Sequence, residues 1–200
     1  MRIQTNFTPM WPWGHLAVAY LCFLLLTRIT DRVTQSFGTI STLAIGSQFP
    51  GLIDKPLAWT VTILPSGRSF AHSLITAAIT LFILDRLAAR YGRRTLVAVF
   101  GVGWVSHSLS DLGPDVLGGL LRGDVSQLEW ATYLVWPLLQ LPPYTNDSSF
   151  STHFANFEIS VYVGIQLLLC ILALGFWLGS GAPGLAAART QIHTTLSRVR

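Results

Sequence analysis

The sequence predicts an all-α fold, a polytopic transmembrane helix bundle of about five spans with one further interfacial or re-entrant segment. Charged residues make up only 11% of the 200-residue chain, whereas soluble domains carry about 25%. Apolar segments recur along the chain, and arginines gather at their ends rather than along a water-facing surface. The net charge of +4 therefore indicates membrane topology and not a nucleic-acid-binding surface.

Five apolar segments are predicted to be the spans. The first follows an interfacial pair of tryptophans, and the second is rich in Gly, Ser and Thr, which favours a helix packed against other helices. Several are shorter than the ~20 residues of a typical span, and interfacial Trp, Tyr and Arg extend short spans. The predicted spans are His15–Thr27, Phe37–Ile53, Ala71–Leu84, Thr95–Leu112 and Ile159–Leu178.

A sixth stretch, Trp130–Leu141, is interrupted by Pro137 and predicted to be interfacial or re-entrant. Residues 1–178 form one predicted transmembrane domain, and residues 179–200 a basic cytoplasmic tail. The two cysteines lie inside apolar runs without a CxxC spacing, which favours structural thiols. The glycines of GVGW are predicted to serve close helix packing.

The positions of the arginines predict the orientation. One group of arginines follows each of the first, third and fifth spans. If the chain crosses the membrane five times, all three groups lie on the same side. The positive-inside rule makes that side cytoplasmic. We therefore expect a multi-pass cell-membrane protein with its N-terminus outside and its C-terminus in the cytoplasm. The groups are Arg28 and Arg32; Arg86, Arg90, Arg93 and Arg94; and Arg189, Arg198 and Arg200.

The other ionisable residues gather at the external boundary of these spans. His107 and Asp111 are four residues apart and share one helix face. Ionisable groups at this depth need a partner, water or a bound cation. A mixed His/Asp set suits zinc, manganese or ferrous iron, and such an ion lowers the pKa of bound water to about 7 for attack on an ester. The gathered residues are His15, Asp54, His72, His107, Asp111, His153 and Glu158.

Each member taken alone also has a plainer explanation. His-x-x-x-Asp on a helix suits an interhelical hydrogen bond, and Asp54 is adjacent to Lys55, which could pair with it. Arg68 fits a phosphate or carboxylate ligand, or equally a lipid headgroup. The alternative function is therefore a non-catalytic membrane protein whose His/Asp cluster is a structural polar network or a cation-binding site.

Several stretches resemble a known family. GSQFPGLIDKPLAWT, LPSGRSFAHSL and GWVSHSLSD resemble the YdjM-like membrane-bound metal-dependent hydrolases, a family described as LexA-binding and inner-membrane-associated. WPWGHLAVAY and LVWPLLQLPPY resemble members from halophilic archaea, and the likeness covers residues 11–178. It implies a helical membrane protein with a His/Asp metal centre, similar to zinc-dependent phospholipase-like hydrolases. The matching positions are His15, Asp54, His72, His107 and Asp111.

One position departs from the pattern of that family. Its members typically read Pro-Asp-x-x-Asp, whereas this chain has Gly51 after Pro50 and before Asp54. Either the missing carboxylate is not an essential ligand, or this chain has lost activity. The implied LexA binding has no counterpart in the sequence, which shows no cytoplasmic domain for that contact.

The expected function is a membrane-embedded metal-dependent hydrolase acting on a phosphoester or other ester at the membrane surface. Its expected surroundings are the lipid bilayer and a lipid or ester substrate, without nucleic acid. Asp54 is expected to be a further ligand or the base that takes a proton from water, and Arg68 to stabilise negative charge in the transition state. The expected ligands of the metal, zinc with manganese or iron as alternatives, are His15, His72, His107 and Asp111.

Overall fold

The structure is a computed structural model that describes residues 10–30, 33–142, 149–155 and 157–185. All regular elements in these ranges are helical, as the sequence predicts, and the ranges contain no strand. The elements are α1 Pro12–Ile29, α2 Phe37–Trp59, α3 Leu74–Ala89, α4 Arg94–Ser110, α5 Gly113–Leu121, a 3₁₀ helix Val125–Val135, α6 Phe150–Ala155 and α7 Val161–Gly179.

Helix α4 is at the centre of the bundle. It packs against α1, α2 and α3, while α1 also contacts α2 and α7. Phe23 of α1, Leu43 of α2 and Val99 of α4 are buried together in the apolar core. Because consecutive long helices run in opposite directions here, the start of α1, the end of α2, the start of α3 and the end of α4 lie at one end of the bundle.

Serine side chains define where three helices begin. The hydroxyl of Ser36 accepts a hydrogen bond from the backbone N–H of Thr39, whose own hydroxyl accepts from the Ser36 N–H in a capping box. The hydroxyls of Ser73 and Ser160 likewise accept hydrogen bonds from backbone N–H groups in the first turns of α3 and α7. These oxygens satisfy N–H groups that have no partner inside the helix.

Glycines allow α2 and α4 to approach at backbone distance. A Cβ atom on Gly103 would lie 2.6 Å from the carbonyl oxygen of Leu43 and 2.7 Å from the backbone nitrogen of Ser47. A Cβ atom on Gly46 would collide with the carbonyl oxygen of Phe100. The prediction that the glycine of GVGW serves helix packing is confirmed at Gly103, since no larger residue fits this contact.

The chain turns sharply after α4. The axes of α4 and α5 differ by 77°, and Gly113, the first residue of α5, has φ +74°. This left-handed conformation is readily available only to glycine. None of the predicted spans covers the residues directly after Leu112, whereas the structure forms α5 there, with Val116 and Gly119 buried.

Two helices of the described chain are long and apolar enough to cross a membrane. They are α1, with mean hydropathy 1.3, and α7, with mean hydropathy 2.3. The bent pair α4–α5 raises the count to three if it is one broken span. This is fewer than the five predicted spans. Helix α3 has only 16 residues, and α2 carries polar and small residues along its length.

The outer surface of α7 is suited to lipid. Large apolar side chains are exposed along it, including Ile165, Leu168 and Ile171, which are 46%, 55% and 66% exposed. An exposed apolar surface of this extent marks a membrane or partner contact. Together with the hydropathy of α1 and α7, this surface supports a location in the membrane.

The remaining segments differ from their predicted boundaries. The stretch Trp130–Leu141 is partly a 3₁₀ helix, Val125–Val135, followed by turns, and its Tyr133 is completely buried. Of the predicted tail 179–200, residues 180–184 are turns and irregular chain, and residues 186–200 lie outside the described part of the chain.

An exposed ion pair joins α3 to α4 at the opposite end of the bundle. Arg94 donates hydrogen bonds from Nε and Nη2 to the carboxylate of Asp85, with Nε 2.8 Å from Oδ1. These hydrogen bonds hold the pKa of the Asp85 carboxyl below its ordinary value. Exposed pairs of this kind contribute little to stability.

Candidate metal centre

Ionisable side chains from separate helix ends meet inside the bundle. His15 comes from the first turn of α1, His72 immediately precedes α3, and His107 and Asp111 come from the end of α4. All four are buried, with 3%, 0%, 3% and 3% of their surface exposed. The convergence predicted from the sequence is therefore present. It follows from the antiparallel order of the four helices.

Asp111 is at the centre of this group. Its Oδ1 lies 3.3 Å from Nε2 of His15, and its Oδ2 lies 3.3 Å from Nε2 of His72. Nε2 of His107 is 3.9 Å from the same Oδ2 and 3.2 Å from Nε2 of His72. All three imidazoles thus turn Nε2 toward one carboxylate and toward one another.

The outer nitrogens of His107 and His72 show which ring atoms carry protons. Nδ1 of His107 is 2.6 Å from the carbonyl oxygen of Ser47 and must donate to it, because a carbonyl only accepts. Nδ1 of His72 likewise donates to the carboxylate of Asp54 over 2.7 Å. In the neutral form of each ring, Nε2 therefore keeps its lone pair.

The Nδ1 atom of His15 also has a hydrogen-bond partner, which is a serine hydroxyl. Its Nδ1 lies 2.9 Å from Oγ of Ser110, and that hydroxyl donates its proton to the carbonyl oxygen of His107. With its proton on that carbonyl, the Ser110 oxygen accepts from Nδ1 of His15. As a result, the Nε2 atom that faces Asp111 carries no proton in the neutral ring.

Three nitrogen lone pairs and a carboxylate therefore face one another in a buried space. Oδ1 of Asp111 accepts no hydrogen bond from the residues that the structure describes. Facing acceptors repel unless a cation or added protons lie between them. Ligand atoms about 2.0–2.1 Å from a tetrahedral zinc ion lie about 3.3 Å apart, close to the measured separations around His72. The residues fit a divalent metal.

His15, His107 and Asp111 form one set that could hold a metal ion. Each offers one ligand atom, and these atoms all lie within 4.8 Å of one another. The His15 and His107 rings stack with centroids 3.6 Å apart. Two buried positive charges at this distance would repel strongly, so the stack favours neutral rings, the form that binds metal. His72 is adjacent to two of the three but lies outside this set.

Arg68 contacts the candidate centre through the carboxylate of Asp111. Its Nε donates to Oδ2 of Asp111 over 3.0 Å, and the residue is only 5% exposed. The sequence indicated either a ligand-binding arginine or a headgroup anchor. The structure puts the guanidinium inside the protein, in contact with the candidate metal ligand.

Asp54, the other predicted catalytic residue, lies behind His72. Its Oδ2 accepts hydrogen bonds from the backbone N–H groups of Ser69 and His72 and from Nδ1 of His72. Its Oδ1 accepts from the N–H of Ala71. Both oxygens are therefore engaged by the loop that precedes α3.

Sequence reasoning missed the residues that hold the outer sides of the histidines. In the sequence, Ser110 is a serine three residues after His107, and nothing marks it as a hydrogen-bond partner of His15. The Ser47 carbonyl is a backbone group, so the sequence does not indicate its role. Tyr133, from the 3₁₀ helix, donates to the carbonyl oxygen of Ser108 over 2.7 Å. Nothing in the periodicity of the sequence links Tyr133 to this end of the bundle.

The model of the family described as YdjM inner membrane protein matches residues 10–190. The chain belongs to the YdjM inner membrane protein family. No curated protein and no solved structure matches the chain. The family name and the apolar helices α1 and α7 agree on a membrane location.

Gly51 lies beside the candidate metal centre of this YdjM-family protein. A Cβ atom at this position would be 3.6 Å from Cε1 and 3.9 Å from Nε2 of His107, which is ordinary van der Waals contact. The position is helical. A side chain here would fit without moving the backbone and would point toward the metal-binding side of His107.

We therefore predict that Gly51→Asp strengthens metal binding about tenfold or more, because an added carboxylate supplies both an oxygen ligand and negative charge. In the absence of metal, the second carboxylate lies near Asp111 and should lower the thermal unfolding temperature. Titration calorimetry and thermal unfolding, each with and without chelator, measure the two effects.

Gly51→Asn is the matched control, since it adds nearly the same volume without the charge. It should change the metal affinity and the unfolding temperature of the metal-free protein less than Gly51→Asp does. Equal metal affinity in the wild type and Gly51→Asp would show that position 51 does not face the ion.

Proposed function

We propose that this chain is a membrane-embedded metal-dependent hydrolase that cleaves a phosphoester or other ester at the membrane surface. The convergence of three unprotonated imidazole nitrogens on the buried carboxylate of Asp111 supports this proposal most directly. A site that combines His and Asp ligands favours zinc, with manganese and ferrous iron as alternatives.

The proposed ligands are His15, His107 and Asp111, with His72 offering Nε2 at the same centre. A divalent ion there supplies Lewis acidity and lowers the pKa of water to about 7. Arg68 is close enough to Asp111 to hold an anionic substrate group beside the ion and to stabilise negative charge as it develops. Burial of the ligands keeps bulk water from weakening these interactions.

The membrane interface is the proposed source of the substrate. Trp11 and Trp13 stack with ring centroids 5.2 Å apart at the start of α1, about one turn from His15, and Phe157 packs edge-on against Trp11. Aromatic groups of this kind favour the headgroup region. We infer that the metal centre lies at headgroup depth, where the esters of lipids are the nearest substrates.

The topology that accompanies this proposal has five crossings, with the N-terminus outside and the C-terminus in the cytoplasm. The arginine distribution supports it through the positive-inside rule. In this arrangement α2, α3 and α4 cross as short helices packed against their neighbours, and the metal centre faces the outer leaflet.

The second candidate is a non-catalytic membrane protein with the same buried network. The contact between Arg68 and Asp111 favours it, because a buried ion pair can connect the loop before α3 to the end of α4 without any substrate. In that case protons, and not a metal, would lie between the imidazoles and Asp111.

Activity assays on detergent-purified protein test the hydrolase proposal. Wild type loaded with zinc, manganese or ferrous iron is presented with phosphoester and carboxyl-ester lipids in mixed micelles, and product release is measured. We expect metal-dependent release by the wild type and by His153→Ala, whose histidine is outside the metal centre, and background rates for His107→Ala. Release at background by metal-loaded wild type with every ester would favour the structural network.

A further inference from the structure

The carboxylate of Asp54 accepts hydrogen bonds from the loop that precedes α3. Asp54 is completely buried near the end of α2. Its four hydrogen-bond donors lie 2.7 to 3.1 Å away and all come from residues 69–72, in the loop between α2 and α3. Both oxygens of this carboxylate are engaged, Oδ2 by three donors and Oδ1 by one. This arrangement differs from that of Asp111, whose Oδ1 faces the centre without a donor.

Three of these donors are backbone N–H groups of irregular, buried chain. Such groups are costly to bury without an acceptor. In a helix or strand the neighbouring backbone supplies that acceptor, whereas in the loop between α2 and α3 the carboxylate of Asp54 supplies it. The same loop is held elsewhere by Trp104, whose indole donates to the carbonyl of Ala71, and by Ser73, whose hydroxyl donates to the carbonyl of Trp136. Asp54 therefore fixes the backbone from which His72 projects.

The fourth donor is the imidazole of His72. Because Nδ1 of His72 donates to Asp54 over 2.7 Å, the lone pair of the neutral ring lies on Nε2. That atom is 3.2 Å from Nε2 of His107 and 3.3 Å from Oδ2 of Asp111. If the proton were on Nε2 instead, His72 could not bind a metal at this centre.

We propose that Asp54 is a positioning residue that acts through His72: it holds the loop before α3 and fixes the tautomer that presents Nε2 to the metal centre. It is neither a metal ligand nor the base that receives a proton from water. The arrangement is the carboxylate–histidine–metal relay in which an outer carboxylate orients a ligand. The metal part of this role rests on the proposed function, whereas the tautomer does not.

The variant Asp54→Ala tests the role. It removes the acceptor that faces Nδ1 of His72, whereas the amide of an Asp54→Asn variant would keep that bond by placing its oxygen at the position of Oδ2. We expect the His72 proton to move to Nε2, where Oδ2 of Asp111, 3.3 Å away, can accept it. Nitrogen-15 NMR of metal-free, histidine-labelled protein in detergent at alkaline pH reports this directly, with His72→Ala used to assign the signal. Zinc affinity should fall about 10- to 100-fold.

Asp85→Ala is the matched control, because it makes the same chemical change at the exposed pair with Arg94. It should alter neither the His72 tautomer nor the zinc affinity. A second check is non-additivity: in a His72→Ala background, Asp54→Ala should change zinc affinity no further. An additional loss there would mean that Asp54 contacts the ion itself and would overturn the proposal.

The wild-type spectrum keeps the proposal falsifiable if Asp54→Ala does not fold. A proton on Nε2 of His72 in metal-free wild type would contradict the role of Asp54. An unchanged tautomer in a folded Asp54→Ala variant would contradict it equally. Failure of the wild type to bind zinc, manganese or iron would instead contradict the proposed function, while the tautomer measurement would still decide whether Asp54 positions His72.

Discussion

Asp111→Ala is expected to abolish metal binding and to destabilise the protein by about 3–5 kcal/mol, the range for breaking one side of a buried ion pair. The substitution removes the carboxylate that faces all three histidines and that the buried guanidinium of Arg68 contacts. Metal content and thermal unfolding in detergent measure the two effects. The stability loss should appear in metal-free protein as well, because the contact with Arg68 does not require the ion.

The variant Asp111→Asn separates the two effects. Its amide oxygen can still accept from Nε of Arg68, so the stability loss should be smaller than for Asp111→Ala. The amide is a poor ligand for zinc beside histidines, so metal binding should remain weak. Full metal occupancy in Asp111→Ala would rule out this carboxylate as a ligand.

Gly103→Ala is expected to have the largest effect on the helix packing. The new methyl group would lie 2.6 Å from the carbonyl oxygen of Leu43 and 2.7 Å from the backbone nitrogen of Ser47. Neither backbone atom can rotate away, so α2 and α4 must separate. We expect a loss at the upper end of the overpacking range, about 3 kcal/mol, and a fall of roughly 6–12 °C in the unfolding temperature.

This separation should also reach the metal centre, because Ser47 supplies the carbonyl that orients His107. Metal affinity should therefore fall together with stability. Gly175→Ala is the control: it makes the same change in α7, where a Cβ atom meets nothing within 4 Å. It should leave both quantities unchanged or slightly raise stability, since alanine favours a helix over glycine. Equal unfolding temperatures for the two variants would contradict the close α2–α4 contact.

The residues of the candidate metal centre could be predicted from the sequence because helical spacing and antiparallel helix order bring them together. Helical spacing puts His107 and Asp111 on one face, and antiparallel order brings His15 and His72 to the same end of the bundle. Neither rule requires an accurate span count. The grouping therefore holds although the described chain has two or three candidate spans, not five.

The contacts that the sequence could not reveal are those made by backbone groups. Every residue has a carbonyl and nearly every residue has an N–H group, so no residue pattern marks the Ser47 carbonyl as the partner of His107, or the N–H groups of Ser69 and Ala71 as partners of Asp54. This is why Asp54 was expected at the metal and is found engaged by a loop. The helix α5 was missed for a different reason, because the glycines and proline of GPDVLGG indicate turns and hide the short helix that begins at Gly113.

Metal content of the detergent-purified protein, measured by elemental analysis, tests the central claim most directly. Wild type and His153→Ala should each retain about one transition-metal ion per chain, the content of a single His/Asp site, while His107→Ala retains none. Wild type that stays metal-free after incubation with zinc, manganese and ferrous iron would contradict the metal centre. The buried histidines would then be parts of a protonated structural network.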